Sequence, residues 1–408
     1  MGESALWMVL VLAATCLGAA FVGVLVARRA LEPVFLAITL GAAVGAAWAF
    51  GSFAQVYDRL DALLYALGFA VAAAAGGYAL ASTLLWRLAG EQRPATVPST
   101  LPDGNGSAAV IVLGAVEPPE YSEQWTASSL NALADEGLLT ASIVILPFLF
   151  LAAKARYRAA GGTSPGARQL ETLADRLGLS LPVDDVGQVL PAAVDGEQSF
   201  ETAVAAAVEA GYRRIVVVEA LIAGSVELDE AKRRVDSLRL SESGVTVTYT
   251  DGLWSSDRVA ALVTEKSLAV ADDPSSTGVL LVGVGQPEQR SRTSPSFDER
   301  ELAFLSRTRM LLIERGVQAN FVRLAWAEWR TPDVTSGVRH LAALGCTRLI
   351  VVPACFPLDN IATLLDLPMA IRQARVDAAL SVVTLTAWSD DPALVAELRR
   401  QVMAALSD

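Results

Sequence analysis

A few polar residues follow strand-like apolar runs of this 408-residue sequence, at places suited to chemistry. Glu219 ends one such run and is the best candidate for a general base. Asp359 and Asn360 come just after another run, at the carboxyl end of a predicted strand, where open α/β sheets bind their ligands. Cys355 precedes them and offers a soft thiol ligand. These residues predict a binding or acid–base site at the carboxyl ends of parallel strands.

Each of these residues also has a simpler structural interpretation. Glu219 is then a solvated strand end, Asp359 and Asn360 are N-caps of the following helix, and Cys355 is a buried structural thiol. His340 is the only histidine in the chain. It falls on the wetter side of a predicted helix, so we expect a surface histidine and not a catalytic one.

Composition excludes several classes of function. The net charge of −12 argues against nucleic-acid binding, which needs a basic face to neutralise phosphates. Three cysteines are too few for a disulfide framework, so we expect unpaired thiols in a reducing compartment. No set of residues is predicted to hold a resident metal ion.

Residues 1–90 are predicted to form a three-helix membrane anchor. The runs 5–27, 34–57 and 62–86 are each apolar and long enough to cross about 30 Å of hydrocarbon as a helix. The leader Met-Gly-Glu-Ser has no basic residue, which argues against a secretory signal peptide. Arg28 and Arg29 follow the first run, and Arg87 and Arg93 follow the third. These arginines predict a multi-pass cell-membrane protein with its amino terminus outside and its soluble part in the cytoplasm.

Small residues within the apolar runs offer a way for helices to approach closely. Gly41 and Gly45 form a GxxxG pattern. We expect it to pack within the three-helix anchor, and the alternative is a docking face for another membrane protein.

The rest of the chain is predicted to be α/β, with two Rossmann-like halves built on parallel sheets. Residues 91–107 have the composition of a linker, 108–272 form the first half and 273–408 the second. The clearest repeat pairs Gly-Tyr-Arg-Arg-Ile-Val-Val-Val at 211–218 with Gly-Cys-Thr-Arg-Leu-Ile-Val-Val at 345–352. Predicted strands lie at 108–114, 185–194, 213–219, 245–250, 278–285, 319–326, 348–353 and 379–388.

Helix starts and one insertion complete this prediction. We expect helices to begin near Ser164, Ser199, Glu227 and Ser255 in the first half. In the second half we expect starts at a Ser296–Glu299 capping box, at Thr331-Pro332, at Asn360 and at Asp391. The first half also holds some 36 extra residues, including the uncharged stretch 138–153. That stretch is short for a membrane span, so we expect a buried or membrane-resting lip.

Several motifs in this order resemble the ferrochelatase family over residues 108–407. Residues 113–119 read Leu-Gly-Ala-Val-Glu-Pro-Pro and 157–165 read Tyr-Arg-Ala-Ala-Gly-Gly-Thr-Ser-Pro. Residues 351–364 read Val-Val-Pro-Ala-Cys-Phe-Pro-Leu-Asp-Asn-Ile-Ala-Thr-Leu. The resemblance implies a chelatase fold with a porphyrin or haem cleft between the halves. It also implies that the lip at 138–153 holds porphyrin near the membrane.

The residues that insert iron in this family are replaced in the matching positions. The family uses a histidine in a Ser-Ala-His-Gly-Leu-Pro turn and a glutamate in an Asp-His-Ile-Glu motif. Here Val284 takes the place of that histidine, Asn360 that of the second motif's histidine and Ala362 that of the glutamate. Valine and alanine neither accept a proton nor bind a metal, so the resemblance implies that the usual mechanism is absent.

Several residues remain as predicted ligand contacts in the cleft implied by the resemblance. Trp326 and Trp329 offer aromatic faces for a flat macrocycle, with core packing as the alternative. The predicted ligand-binding residues are Tyr157, Gly162, Ser164, Pro165, Gly283, Gly285 and Asn360.

Three functions follow as hypotheses. The preferred one is a membrane-anchored pseudoenzyme that binds a tetrapyrrole or a partner. The second is an active ferrochelatase with a non-standard site built from Glu219, Asp359 and Asn360. The third is a purely structural subunit that joins a membrane-protein complex through its apolar helices.

Overall fold

The computed structural model describes residues 3–56, 59–88, 106–140, 142–194, 199–377, 380–389 and 391–407. Its contacts divide the chain into two compact units. The first unit contains residues 1–93 and 120–162, and the second contains 94–119 and 163–408. Most of the predicted linker at 91–107 lies outside the described residues.

Three long helices form the amino-terminal part of the first unit, as predicted. They are α1 (Glu3–Val26), α2 (Glu32–Val56) and α3 (Leu60–Leu88). Each is long and apolar enough to cross a membrane. Between α1 and α3, a Cβ on Gly18 would lie 1.9 Å from the Ala74 carbonyl oxygen, so only glycine permits this approach.

The GxxxG pattern was expected to pack closely within the anchor, and at Gly41 it does not. A Cβ built on Gly41 meets nothing within 4 Å, and one on Gly45 makes only an ordinary contact with Ala13. Close helix packing is provided instead by Gly18 and Gly77, which face each other's helices. The spacing alone did not show which side of each helix faces its neighbours.

The insertion forms two helices that belong to the first unit. They are α4 (Glu123–Asp135) and α5 (Leu146–Ala159). Leu146 and Phe150 of α5 are buried in one cluster with Val22 and Val26 of α1. The apolar stretch predicted as a lip at 138–153 therefore packs on the amino-terminal helices over its described residues.

The second unit contains two four-stranded parallel sheets with the same strand order, which confirms the predicted fold class. The first sheet, in order β2-β1-β3-β4, consists of β1 (Ala108–Gly114), β2 (Val186–Ala193), β3 (Arg214–Glu219) and β4 (Thr246–Tyr249). The second, in order β6-β5-β7-β8, consists of β5 (Thr277–Gly283), β6 (Val322–Trp326), β7 (Arg348–Val352) and β8 (Ser381–Thr384). β1 and β5 are buried along their whole length because each lies inside its sheet and is covered on both faces.

The helices of the second unit cover these sheets. The first half carries α6 (Gly166–Ser180), α7 (Phe200–Glu209), α8 (Val226–Asp236) and α9 (Asp257–Ala269). The second half carries α10 (Glu288–Thr293), α11 (Pro295–Glu314), α12 (Val334–Ala343), α13 (Leu367–Ala374) and α14 (Pro392–Ser407).

Two predicted helix starts in the second half were wrong. The Ser296–Glu299 capping box does not form, because α11 already begins at Pro295 after Ser294. Asp333, and not Thr331-Pro332, is the N-cap of α12, and it accepts a hydrogen bond from the Ser336 backbone N–H. The start predicted at Asn360 is confirmed, because the helical run begins at Ile361 and continues through a π-helical turn at Ala362–Asp366 into α13. Likewise, α14 begins at Pro392 beside Asp391, as predicted.

Candidate functional site

A cavity of about 290 Å³ lies within the second unit, at the carboxyl ends of β3, β5 and β7. Residues of both halves line it, so it occupies the position where open α/β sheets bind ligands. Its volume is at the lower end of the range for small-molecule sites. The lining residues are Ala115, Ala220–Glu227, Val284–Pro287, Arg290, Phe297, Asp298, Glu301, Glu328, Trp329, Cys355–Leu358 and Asn360.

The turn after β5 forms one wall of this cavity. Val284, which the resemblance predicts at the family's histidine position, lines the cavity and is 40% exposed. Gly285 follows with φ +82°, and a Cβ there would lie 2.3 Å from the Glu328 carbonyl oxygen. The position therefore requires glycine, both for its backbone conformation and for space. At this turn the cavity wall thus presents an aliphatic side chain.

Glu301 of α11 places a buried carboxylate directly behind that turn. Its Oε1 accepts a hydrogen bond from the Val284 backbone N–H at 2.6 Å. Its Oε2 accepts bonds from the Gly285 backbone N–H at 3.3 Å and from Trp326 Nε1 at 3.1 Å. Burial raises the pKa of Glu301, and the hydrogen bonds from these donors oppose that shift. Glu301 is thus a buried acid that lines the cavity and holds its wall.

Cys355 stands beside Glu301 and is a buried free thiol, as the structural interpretation predicted. Burial is the main reason that its pKa is raised well above the ordinary value, and the neighbouring Glu301 carboxyl raises the pKa further. A thiol whose pKa is raised stays protonated at neutral pH and is a poor metal ligand, because the thiolate is the ligating form.

Asp359 has a structural role as an acceptor of three hydrogen bonds. Its carboxylate accepts hydrogen bonds from the Gln169 side chain at 3.0 Å, from Thr363 Oγ1 at 3.1 Å and from the Ala387 backbone N–H at 3.0 Å. Only 6% of its surface is exposed, and it does not line the cavity. Since Gln169 comes from the first half, Asp359 joins the two halves of the second unit.

Asn360 does line the cavity, and it also caps the turn that follows. Its Oδ1 accepts a hydrogen bond from the Thr363 backbone N–H at 2.9 Å, and Thr363 Oγ1 accepts one from the Asn360 backbone N–H at 3.0 Å. The capping role is therefore present, with the side chain at the cavity edge. Ala362 is partly buried in the same turn and is not among the residues that line the cavity.

Glu219 is not the solvated strand end that the structural interpretation predicted. Only 3% of it is exposed, and its Oε1 lies 2.5 Å from Lys232 Nζ of α8. Burial raises the pKa of Glu219, while the Lys232 ammonium lowers it. Glu219 is also absent from the lining of the cavity. The sequence did not show this because Lys232 reaches Glu219 only through the fold.

The two predicted aromatic contacts have different environments. Trp326 is buried against Glu301, and the Arg330 guanidinium lies 4.6 Å from the centre of its ring. Trp329 is 55% exposed, lines the cavity and adopts φ +61°, a conformation uncommon for a bulky residue. Trp329 is therefore the one of the two that is free to contact a ligand.

Charges around the cavity are mostly paired. Arg290 Nη1 lies 2.6 Å from Glu227 Oε1. Asp298 pairs with Arg330 at 2.9 Å, and Glu328 accepts a hydrogen bond from Trp329 Nε1 at 3.1 Å. Among the described residues, no group of three or more metal-binding side chains is found. Apolar walls with a few polar groups are typical of small-molecule sites.

Several predicted ligand contacts lie elsewhere. Tyr157 and Gly162 belong to the first unit. Ser164 is buried and donates to Glu117 at 3.2 Å, and Pro165 precedes α6. None of these four residues lines the cavity, and neither does Gly283, so their ligand roles stay predictions. His340 is exposed on α12, as predicted.

Sequence reasoning missed Glu301, although a pattern pointed to it. Glu301 lies on the same helical stripe as Phe297, Phe304, Leu305 and Leu312, all of which are buried. A glutamate four residues after one buried aromatic residue and three before another faces the core. A charged residue at such a position requires partners, which are here the turn after β5 and Trp326.

Comparisons with known proteins give only distant structural matches. No family model and no curated protein matches the sequence. A structure of SirB from Bacillus subtilis with Fe3+ is 13% identical, with a TM-score of 0.48, and the match covers 74% of this chain and 96% of that one. CbiX, described as the terminal enzyme of sirohaem biosynthesis in denitrifying bacteria, is 14% identical, with a TM-score of 0.44 and coverage of 73% and 99%.

A third structural match is to a multi-domain protein. DR2241 from Deinococcus radiodurans is 18% identical with a TM-score of 0.44, and the match covers 74% of this chain and 55% of that one. It is described as a multi-domain protein with structural similarity to chelatases. These likenesses do not single out ferrochelatase, and the fold class stands on the two parallel sheets themselves.

Proposed function

We propose that this protein is a membrane-anchored tetrapyrrole-binding protein that does not insert metal. The observation that carries the proposal is Val284, an aliphatic residue on the cavity wall at the position where the resembling family has its histidine. Metal insertion requires a group that removes two pyrrole protons and a ligand that receives the metal as it sheds water. Valine supplies neither.

The cavity lining supports binding of a flat ligand. Val284, Phe297, Trp329 and Leu358 provide apolar surface. Arg290 and Asn360 provide N–H donors at the edge, which suit the carboxylates of a tetrapyrrole side chain. The bound ligand would supply the light-absorbing or redox-active ring, and these residues would hold it.

The location of the protein is part of the same proposal. In this proposal three apolar helices anchor the protein in the cell membrane, and the arginines after the first and third helices favour an amino terminus outside. The second unit then lies in the cytoplasm, where tetrapyrrole precursors would reach its cavity from water.

The test is a titration of the full chain, purified in detergent, with protoporphyrin and with haem, followed by absorbance in the Soret region. The same sample is then given ferrous iron and protoporphyrin. Saturable binding without haem formation supports the proposal. Haem formation at ordinary enzyme rates would overturn it.

A second candidate function is an active chelatase that uses Glu301. The favouring observation is that Glu301 is a buried carboxyl on the cavity lining, with its pKa raised by burial, as a general base requires. Glu219 and Asp359 are less suitable because neither lines the cavity. Loss of metal insertion in Glu301→Gln, with ligand binding retained, would identify this function.

A structural role in a membrane complex is the third candidate. Gly41 on α2 makes no contact inside the anchor, which leaves its face open for another helix. Copurification of one membrane protein that is lost in Gly41→Leu, with no Soret change on haem titration, would favour this role.

A further inference from the structure

The segment 142–154, which includes the start of α5, makes polar contacts with the anchor near both of its ends. Near its start, Tyr78 Oη of α3 donates a hydrogen bond to the Val144 carbonyl oxygen at 2.7 Å. Towards its other end, Lys154 Nζ donates to the Val24 carbonyl oxygen of α1 at 3.1 Å and lies 3.5 Å from Glu32 Oε1 of α2. These contacts fix the two ends of the apolar segment at different positions along the anchor.

The contacts also fix depth. Tyr78 precedes Arg87, the basic residue in the last turn of α3, by nine residues, and at 1.5 Å per residue this is about 13 Å along the helix. Val24 lies only two residues before the end of α1 at Val26. α1 and α3 run in the same direction, because Val22 and Val26 of α1 share a cluster with Tyr78 and Leu85 of α3. Val144 is therefore well inside the span, and Lys154 is close to its charged end.

The side chains of this segment match that placement. No charged residue occurs from 143 to 153, and Lys154 is the first. Ile143, Val144, Ile145 and Phe148 are between 47% and 64% exposed within the protein. Exposed apolar side chains in a row are costly in water and favourable in hydrocarbon. The spans of the same unit expose Leu80 and Leu84 in the same way.

Two carbonyl groups are also hydrogen-bonded where the segment turns. Tyr78 donates to the Val144 carbonyl, and the Ser142 carbonyl accepts from the Ile145 and Leu146 backbone N–H groups. Irregular backbone is tolerated at membrane depth only where protein groups satisfy it in this way.

We propose that residues 142–154 form a re-entrant membrane element, which enters the leaflet at the side where α1 and α3 end and returns to the surface at Lys154. The exposed face of this element contacts the acyl chains of the lipid. The proposal rests on the proposed spanning of the membrane by the three helices.

The test uses nitroxide labels on the full chain in phosphatidylcholine and phosphatidylglycerol vesicles. Cys16, which is exposed, is first replaced by alanine, whereas Cys346 and Cys355 are buried. Single cysteines are then introduced as Val144→Cys and Phe148→Cys. Two controls are Val44→Cys on α2, 69% exposed, and Leu179→Cys on the second unit, 90% exposed. Accessibility is measured to oxygen, which enters lipid, and to Ni-EDDA, which stays in water.

The four labelled sites distinguish a failure of the re-entrant element from a failure of the spanning helices. We expect labels at 144 and 148 to show an oxygen-to-Ni-EDDA ratio several-fold above that at 179 and similar to that at 44. A water-like ratio at 144 and 148 with a lipid-like ratio at 44 would overturn the re-entrant element. A water-like ratio at 44 would overturn the spanning helices, and the inference with them. If Val144→Cys fails to fold, Phe148→Cys decides alone.

Discussion

A hydrogen bond joins Glu301 and Val284 in the wall of the cavity. The Val284 backbone N–H donates it to the Glu301 carboxylate, over 2.6 Å. The Glu301 carboxylate thus holds the turn through its backbone, and both Glu301 and the aliphatic Val284 line the cavity. The proposed function rests on this aliphatic side chain, because the resemblance predicts an imidazole at the same position.

The buried charge of Glu301 predicts a pH dependence of stability. Its folded-state pKa is raised above the ordinary value of 4.5, so the folded protein binds the proton more tightly than the unfolded chain. Stability due to this group is therefore full below about 4.5 and falls as pH rises through the folded pKa. In Glu301→Gln this loss is absent, so the variant gains in apparent melting temperature relative to wild type as pH rises.

The matched control for this experiment is Glu299→Gln, on the same helix but exposed. We expect its melting temperature to follow that of wild type at every pH. A difference between wild type and Glu301→Gln that stays constant from pH 4 to pH 8 would contradict the buried-acid interpretation.

Gly285 is predicted to be the least replaceable residue of the cavity wall. Gly285→Ala must adopt φ +82° and must also place its Cβ against the Glu328 carbonyl. We expect it to lower the free energy of unfolding by about 2–4 kcal/mol. Gly316→Ala has a similar φ of +98° but open space around it, and it should cost only about 1 kcal/mol. Equal melting temperatures for the two variants would show that the close approach to Glu328 is absent.

Val284→His tests whether position 284 faces a bound macrocycle. An imidazole there would become an axial ligand of bound ferric haem, which shifts the Soret band. We expect Val284→His to change the spectrum of the haem complex and Val284→Gln to leave it near that of wild type. Identical spectra for all three proteins would place the haem iron away from this wall.

Trp329 is predicted to contact the ligand without stabilising the fold, because it is 55% exposed at the cavity. Trp329→Ala should weaken protoporphyrin binding about two- to tenfold, the range expected for one aromatic contact. Trp254→Ala is the control, since Trp254 packs beside Arg300 and does not line the cavity. Equal binding by the two variants, measured by Soret titration, would argue against the cavity as the binding site.

The fold followed from the sequence further than the site did. Strands β1 and β5 were predictable because continuous apolar runs show burial directly, and the repeat at 211–218 and 345–352 showed two equivalent sheets. Helix starts failed where Ser294, Ser296 and Asp333 offered competing caps within a few residues. Capping depends on local backbone geometry, which residue types alone do not determine.

The site residues that depended on the fold were harder to predict. Glu219 is buried in an ion pair with Lys232 of α8. The Asp359 carboxylate accepts a hydrogen bond from Gln169 of the other half. Both partnerships join residues far apart in sequence. Val284 was singled out by its position in the motif alone. The structure shows that it lines the cavity, and its equivalence to the family's histidine stays a prediction.

The most direct test of the account is the pair of measurements on one detergent-purified sample of the full chain. Protoporphyrin and haem are titrated first, and ferrous iron is then added to the protoporphyrin complex. We predict saturable Soret changes that Trp329→Ala weakens, and no haem formation above the protein-free rate. Rapid haem formation by the wild-type protein would contradict the account.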